Sequence, residues 1–149
     1  MSPKARFDAL ASVLNFDSTQ VDHIRHSVGH LIKDANELWR MVDEATKSDG
    51  APAVVGDLGE GARDKMQSLF ASFIMRTINC NYDEEFCNYA VEVSHGEDVP
   101  PRLFSLGLSI ANDYVNQALP AKVEDREQLT NMLRAWNRLT SILRELTLK

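Results

Sequence analysis

Between Val21 and Ala45 the apolar residues recur at alternating steps of three and four: Val21, Ile24, Val28, Leu31, Ala35, Leu38, Val42 and Ala45. Only an α-helix brings residues so spaced onto one face, since a strand repeats every two residues. The same period returns in Met66, Leu69, Phe70, Phe73, Ile74 and Ile78, and again in Leu103, Leu106, Ile110, Tyr114 and Val115. No stretch alternates strictly, and 7 Gly and 5 Pro are too few for a many-turned β fold. The chain is therefore expected to be all-α. The Val21–Ala45 seam reads either as one long helix or as two meeting near Gly29-His30, where glycine weakens a helix interior by about 1 kcal/mol relative to alanine.

Boundary signals divide the rest. A short first helix carries Phe7, Leu10, Val13 and Leu14. Asp17 caps the next, with Gln20 three residues on and Phe16 placed to staple against Val21. Ser48-Asp49-Gly50-Ala51-Pro52 ends the seam, and the segment up to about Gly61 reads as a loop. Asn81 is the expected cap of a helix that starts with Asp83, Glu84 and Glu85 at the positive end of its dipole and buries Phe86, Ala90 and Val93. Pro100 and Pro101 open the following helix, because proline suits a first turn. Pro120 separates it from a final helix bearing Leu129, Met132, Leu133, Trp136, Leu139, Leu143 and Leu146. This makes six or seven helices in one domain spanning 1–149. The final stripe is broad enough to suggest burial on two fronts, with Trp136, Leu139, Leu143 and Leu146 meeting a second copy of the chain.

Composition removes several functions. The net charge of −6, from 22 acids and 16 scattered bases, argues against nucleic acid, which needs clustered cations. No apolar run approaches the ~18 residues of a membrane span, and Met1-Ser2-Pro3-Lys4 has no signal core. The chain is expected in the cytoplasm and off the membrane. No nucleophile elbow, P-loop or dinucleotide fingerprint is present, so it is not expected to be an enzyme. His23, His26 and His30 lie beside an apolar helical face without the further ligands that zinc requires. Cys80 and Cys87 are expected to be buried thiols rather than reactive ones.

His95 stands at a helix end, five residues before Pro100. Two readings are open for it: a partner for the negative end of a helix dipole, or an imidazole turned back between helices to hold a haem iron.

From Phe7 to Leu146 the helix order resembles the sensor globins, the superfamily of globin-coupled sensors and protoglobins. The resemblance is carried by Asn81-Tyr82-Asp83-Glu84-Glu85-Phe86 and by Pro100-Pro101-Arg102-Leu103-Phe104, two helix starts similar to those of that family. It implies a globin-like fold, signal transduction, and a homodimer acting on a downstream signalling protein or a fused output domain. It also implies a pocket bounded by Trp39, Phe70, Phe73, Ile74, Phe86, His95 and Phe104, with His95 as the metal ligand only if haem is bound.

The chain departs from the haem-binding pattern. Aligned on Pro100 and Pro101, the ligand position falls on Ser94, with His95 one residue beyond it. With His95 shifted into register, Glu97 stands where haem-binding members carry a basic residue and Val99 where they carry glycine, and Trp39 stands near the place of a distal tyrosine. These changes resemble the non-haem sensor globins: stressosome-regulator domains, fatty-acid-binding sporulation inhibitors and bilin-linked photoglobins. Cys80-Asn81-Tyr82-Asp83 is also similar to a bilin-attachment Cys-x-x-Asp. The expectation is a non-haem sensory domain for an apolar or linear-tetrapyrrole (bilin-like) ligand. A haem-based gas or redox sensor and a ligand-free interaction module are the alternatives.

Overall fold

A computed structural model describes residues 1–31, 35–100 and 102–148. Among them are eight helices and no strand: α1 (Pro3–Val13), α2 (Ser18–Leu31), α3 (Ala35–Thr46), α4 (Ala51–Val55), α5 (Glu60–Ile78), α6 (Glu84–Ser94), α7 (Leu103–Lys122) and α8 (Arg126–Leu146). The seam is two helices, and Gly29 and His30 lie inside α2 rather than at the break. The side chain of Ala35 and the expected first-turn role of Pro101 lie outside the described residues. The expected loop after Ser48 contains the one-turn helix α4, which ends on Gly56 at φ 77°, a left-handed conformation that suits glycine.

Side-chain caps set most of the starts. Ser2 Oγ accepts from the Ala5 N–H at 3.1 Å, with Pro3 at the first position of α1. Asp17 Oδ1 accepts from Thr19 N at 3.0 Å and Gln20 N at 3.3 Å. Asp125 accepts from Gln128 N at 2.8 Å. The cap of α6 is Asp83, whose Oδ1 takes the Phe86 N–H at 2.9 Å. Asn81 instead lies in the turn before it, donating to the Asp83 carboxylate at 3.3 Å. Cys80 turns this corner at φ 59°. On α6 the buried set is Phe86, Cys87, Ala90 and Ser94, while Val93 is half-buried. Pro120 does not end α7: it sits in the last turn, and the helix runs two residues further, to Lys122. Its missing N–H leaves the Asn116 carbonyl, four residues back, without its helical donor.

The centre of the fold is α8. It packs on α7 and α2 and also meets α1 and α6. Its apolar stripe is covered within the single chain. Trp136 is 8% exposed, Leu139 0%, Leu143 2% and Leu146 0% within a single chain. All four belong to the chain's own core, where each full burial of such a side chain contributes about 1.5–3 kcal/mol. The outward face of α8 is polar, with Arg134, Asn137, Ser141 and Arg144. Trp136 donates its Nε1–H to Ser27 Oγ on α2 at 2.7 Å, and Ser27 donates to the Ile24 carbonyl at 2.7 Å.

Two apolar clusters result. The larger joins α1, α2, α3, α5, α6, α7 and α8. The smaller consists of Ala51, Val55, Met66, Val99 and Leu103, with Trp39, Leu58, Leu69, Phe104 and Leu106 packed against it. No described helix is long and apolar enough to cross a membrane.

Candidate functional site

Three helices, α3, α5 and α7, enclose the candidate pocket. On α5, positions 66, 69, 70 and 73 follow the helical period and line one face; Trp39, Val42 and Thr46 oppose them from α3, and Leu103, Phe104, Gly107 and Leu108 from α7. α7 passes close to α5 at Gly107, where a Cβ would stand 3.1 Å from the Phe70 ring. The enclosed space is about 30 Å³. Aromatic rings take up the remainder: Trp39 and Phe70 lie 6.1 Å apart, and Phe104 meets Phe73 edge-on at 5.3 Å.

On the other side of Phe73 and Leu108, which line both, lies a larger cavity of about 110 Å³. Its walls include Leu38, Ile74, Thr77, Asn112, Trp136 and Thr140. Thr140 Oγ1 donates to Asn112 Oδ1 at 3.3 Å, one of its few polar features. This space between α5, α7 and α8 was missed in the sequence, where its residues read only as core.

Trp39, Phe70, Phe73 and Phe104 thus come together around the smaller cavity, and Ile74 borders the larger one instead. Phe86 lines neither. It packs its ring 6.2 Å from Phe73 and 5.2 Å from Tyr82, inside the main core. A cation missed at the sequence level, Arg63, closes the apolar pocket at its α3 side. Its Nη1 lies 2.5 Å from Thr46 Oγ1 and 3.2 Å from Asp43 Oδ1, and its Nη2 donates to the Thr46 carbonyl at 3.2 Å. The Lys47 ammonium and then Arg63 hold the Asp43 carboxyl below the usual carboxylate range.

His95 is elsewhere. It follows α6 directly as the C-terminal cap, and its Nε2 lies 3.2 Å from both the Thr147 and the Leu148 carbonyl oxygens. A carbonyl only accepts, so this nitrogen carries a proton and presents no lone pair. Ser94, at the position that matches the ligand of the haem sensors, is buried, and its hydroxyl donates to the Val91 carbonyl at 3.1 Å. Neither cavity is lined by an imidazole or a thiol, and Met66 is the one sulfur donor in the wall of the smaller. As placed, these residues do not fit a haem: neither cavity wall carries an imidazole, and the space beside Trp39, Phe70 and Phe104 is only about 30 Å³.

Nor do the other chemical candidates assemble. Among the described residues no three His, Cys, Asp or Glu side chains come together to hold a metal. Of the helix α2 histidines, His26 is exposed and His23 and His30 are half-buried. Cys80 and Cys87 are free and buried. Burial pushes both thiols up, Cys87 to about 11, which lowers the thiolate fraction that attachment chemistry requires.

Comparison with known proteins gives one match, to the Protoglobin family model, over residues 3–149. Neither a curated protein nor a solved structure matched the chain. The matched region runs from the first residue of α1 through α8, and all eight helices lie within it. By that match, over nearly its whole length, the chain belongs to the protoglobin family.

Proposed function

We propose that this globin-fold chain is a non-catalytic sensory domain that binds a small apolar ligand, without haem, in the paired cavities beside Phe73. The observation that carries this reading is the engagement of His95 Nε2 by the Thr147 and Leu148 carbonyls, which leaves the apolar space without an axial ligand. Size supports a small occupant. The larger cavity, about 110 Å³, is near the ~150 Å³ that holds benzene in a dry engineered core, and below the roughly 300 Å³ at which larger ligands are held. A bilin-like tetrapyrrole requires Trp39 and Phe70 to turn outward. A homodimer passing the state to an output protein completes the proposal, with contacts outside Trp136, Leu139, Leu143 and Leu146.

Family membership favours a second reading, a haem sensor whose His95 swings inward on binding. One titration separates them. Purified protein is mixed with haemin, biliverdin, palmitate or the small apolar probe benzene, and the visible spectrum and melting temperature are recorded. The non-haem reading expects no sharp Soret band and a raised melting temperature with an apolar probe, because a ligand specific to the native state must stabilise it. A sharp band lost in His95→Ala and kept in Ser94→Ala establishes the haem reading. No thermal shift with any probe leaves the ligand-free interaction module. Light scattering tests the dimer, at twice 16.7 kDa.

A further inference from the structure

We infer that His95 is a positioning residue that latches the last turn of α8 to the end of α6, so that the end of α8 follows the state of the cavities beside Phe73. The link with the cavities rests on the ligand-sensing reading; the latch itself does not.

The final carbonyls of a helix have no intrahelical donor, and the dipole makes that end negative. In α8 these groups are served from two other helices. Arg6 of α1 donates from Nη2 to the Glu145 carbonyl at 3.0 Å. His95 reaches Thr147 and Leu148 from the end of α6, across more than 50 residues of sequence. Thr147, the cap just beyond α8, donates its own hydroxyl to the Leu143 carbonyl at 2.7 Å.

The opposite end of α6 touches the cavity wall. Phe86, in its first turn, packs on Phe73, and Phe73 borders both cavities. Between Phe86 and His95 runs one short, uninterrupted helix. It moves as a rod, so displacement of Phe73 by an occupant reaches His95 as a shift of the whole of α6. The donor–acceptor distance is already 3.2 Å, and a small retreat breaks both contacts.

The test is hydrogen exchange on the full chain, read as the ratio of amide rates in residues 144–148 to those in 135–139 of the same helix. A loss of global stability alone raises the 135–139 rates and lowers that ratio or leaves it unchanged, so a raised ratio reports local opening of the helix end. His95→Ala is expected to raise it roughly threefold to tenfold, the range for loss of one shared hydrogen bond. His95→Gln, which keeps an N–H donor at similar reach, is expected to restore most of the protection. Phe86→Leu is expected to raise the ratio in the natural background and to add nothing in His95→Ala. An unchanged ratio in His95→Ala, or failure of Gln to rescue, overturns the latch. Equal effects of Phe86→Leu in both backgrounds overturn its coupling to the cavity side. All of these measurements use the protein without ligand. A failed titration with haemin, biliverdin, palmitate and benzene therefore counts against the sensing reading and not against the latch.

Discussion

Replacing Ser27 by alanine tests how α2 is fixed to the central helix. Ser27 is completely buried, accepts the Trp136 indole N–H at 2.7 Å and donates to Ile24. In Ser27→Ala the Ile24 carbonyl keeps its place in the helical ladder, whereas the indole N–H is left in the core with no acceptor. Orphaning a buried donor costs about 1–3 kcal/mol. Alanine's better helix propensity offsets about 0.5 kcal/mol of that. The net expectation is a loss of about 0.5–2.5 kcal/mol, or a fall in melting temperature of roughly 2–8 °C for a chain of this size. Urea denaturation followed by far-UV circular dichroism, analysed at a common m-value, gives the number directly. The argument is sharpest in the Trp136→Phe background, where the donor is gone and Ser27 still satisfies itself on Ile24. There, Ser27→Ala is expected to be nearly neutral, giving a coupling energy of about 1–2 kcal/mol from the cycle. If Ser27→Ala costs the same in both backgrounds, or nothing in either, the hydrogen bond does not hold α2 to α8 and the reasoning fails.

Two further outcomes follow from the site and its frame. Asp83→Ala removes the side-chain cap of α6 and is expected to cost about 1 kcal/mol, with Asn81→Ala within a few tenths of neutral; a larger loss at Asn81 in chemical denaturation contradicts the assignment of the cap. The Asp43 carboxyl, its pKa lowered by Lys47 and Arg63, contributes stability above its unfolded pKa of about 3.9 and loses it as pH falls through the lower folded value. Asp43→Asn is therefore expected to be less stable than the natural chain at pH 7 and to converge with it toward pH 2–3, as read from melting temperatures across that range; a difference that persists at the acid end assigns the effect to packing instead.

The helices were largely readable because each carries its own period, and period depends on neighbours three and four residues away. What the sequence left open depended on distant partners. Asn81 and Asp83 are both good capping residues, and only the path of the chain through the left-handed Cys80 selects the second. Ala51–Val55 is too short to display a period at all. The stripe of α8 is apolar as expected, and its width reflects α1, α2, α6 and α7 closing around it within the chain, partners that no local pattern names. For the site, it was the family resemblance that pointed to Phe70 and Phe73. Nothing local says that Arg63 folds back onto Thr46, or that the imidazole of His95 turns toward Thr147.

The division of the interior into two clusters bears on how fast anything can enter or leave. Leu58, Met66, Leu69, Leu103 and Phe104 line the smaller cavity and belong to, or pack against, the minor cluster. Among the described residues that cluster has five buried members, from the single-turn helix α4, the segment around Val99, and one each on α5 and α7. Local opening is cheapest where few apolar contacts must be given up. This corner can therefore part while α8 and its surroundings stay closed, and exchange at the smaller cavity is set by the breathing of a minor core, at a rate decoupled from global unfolding.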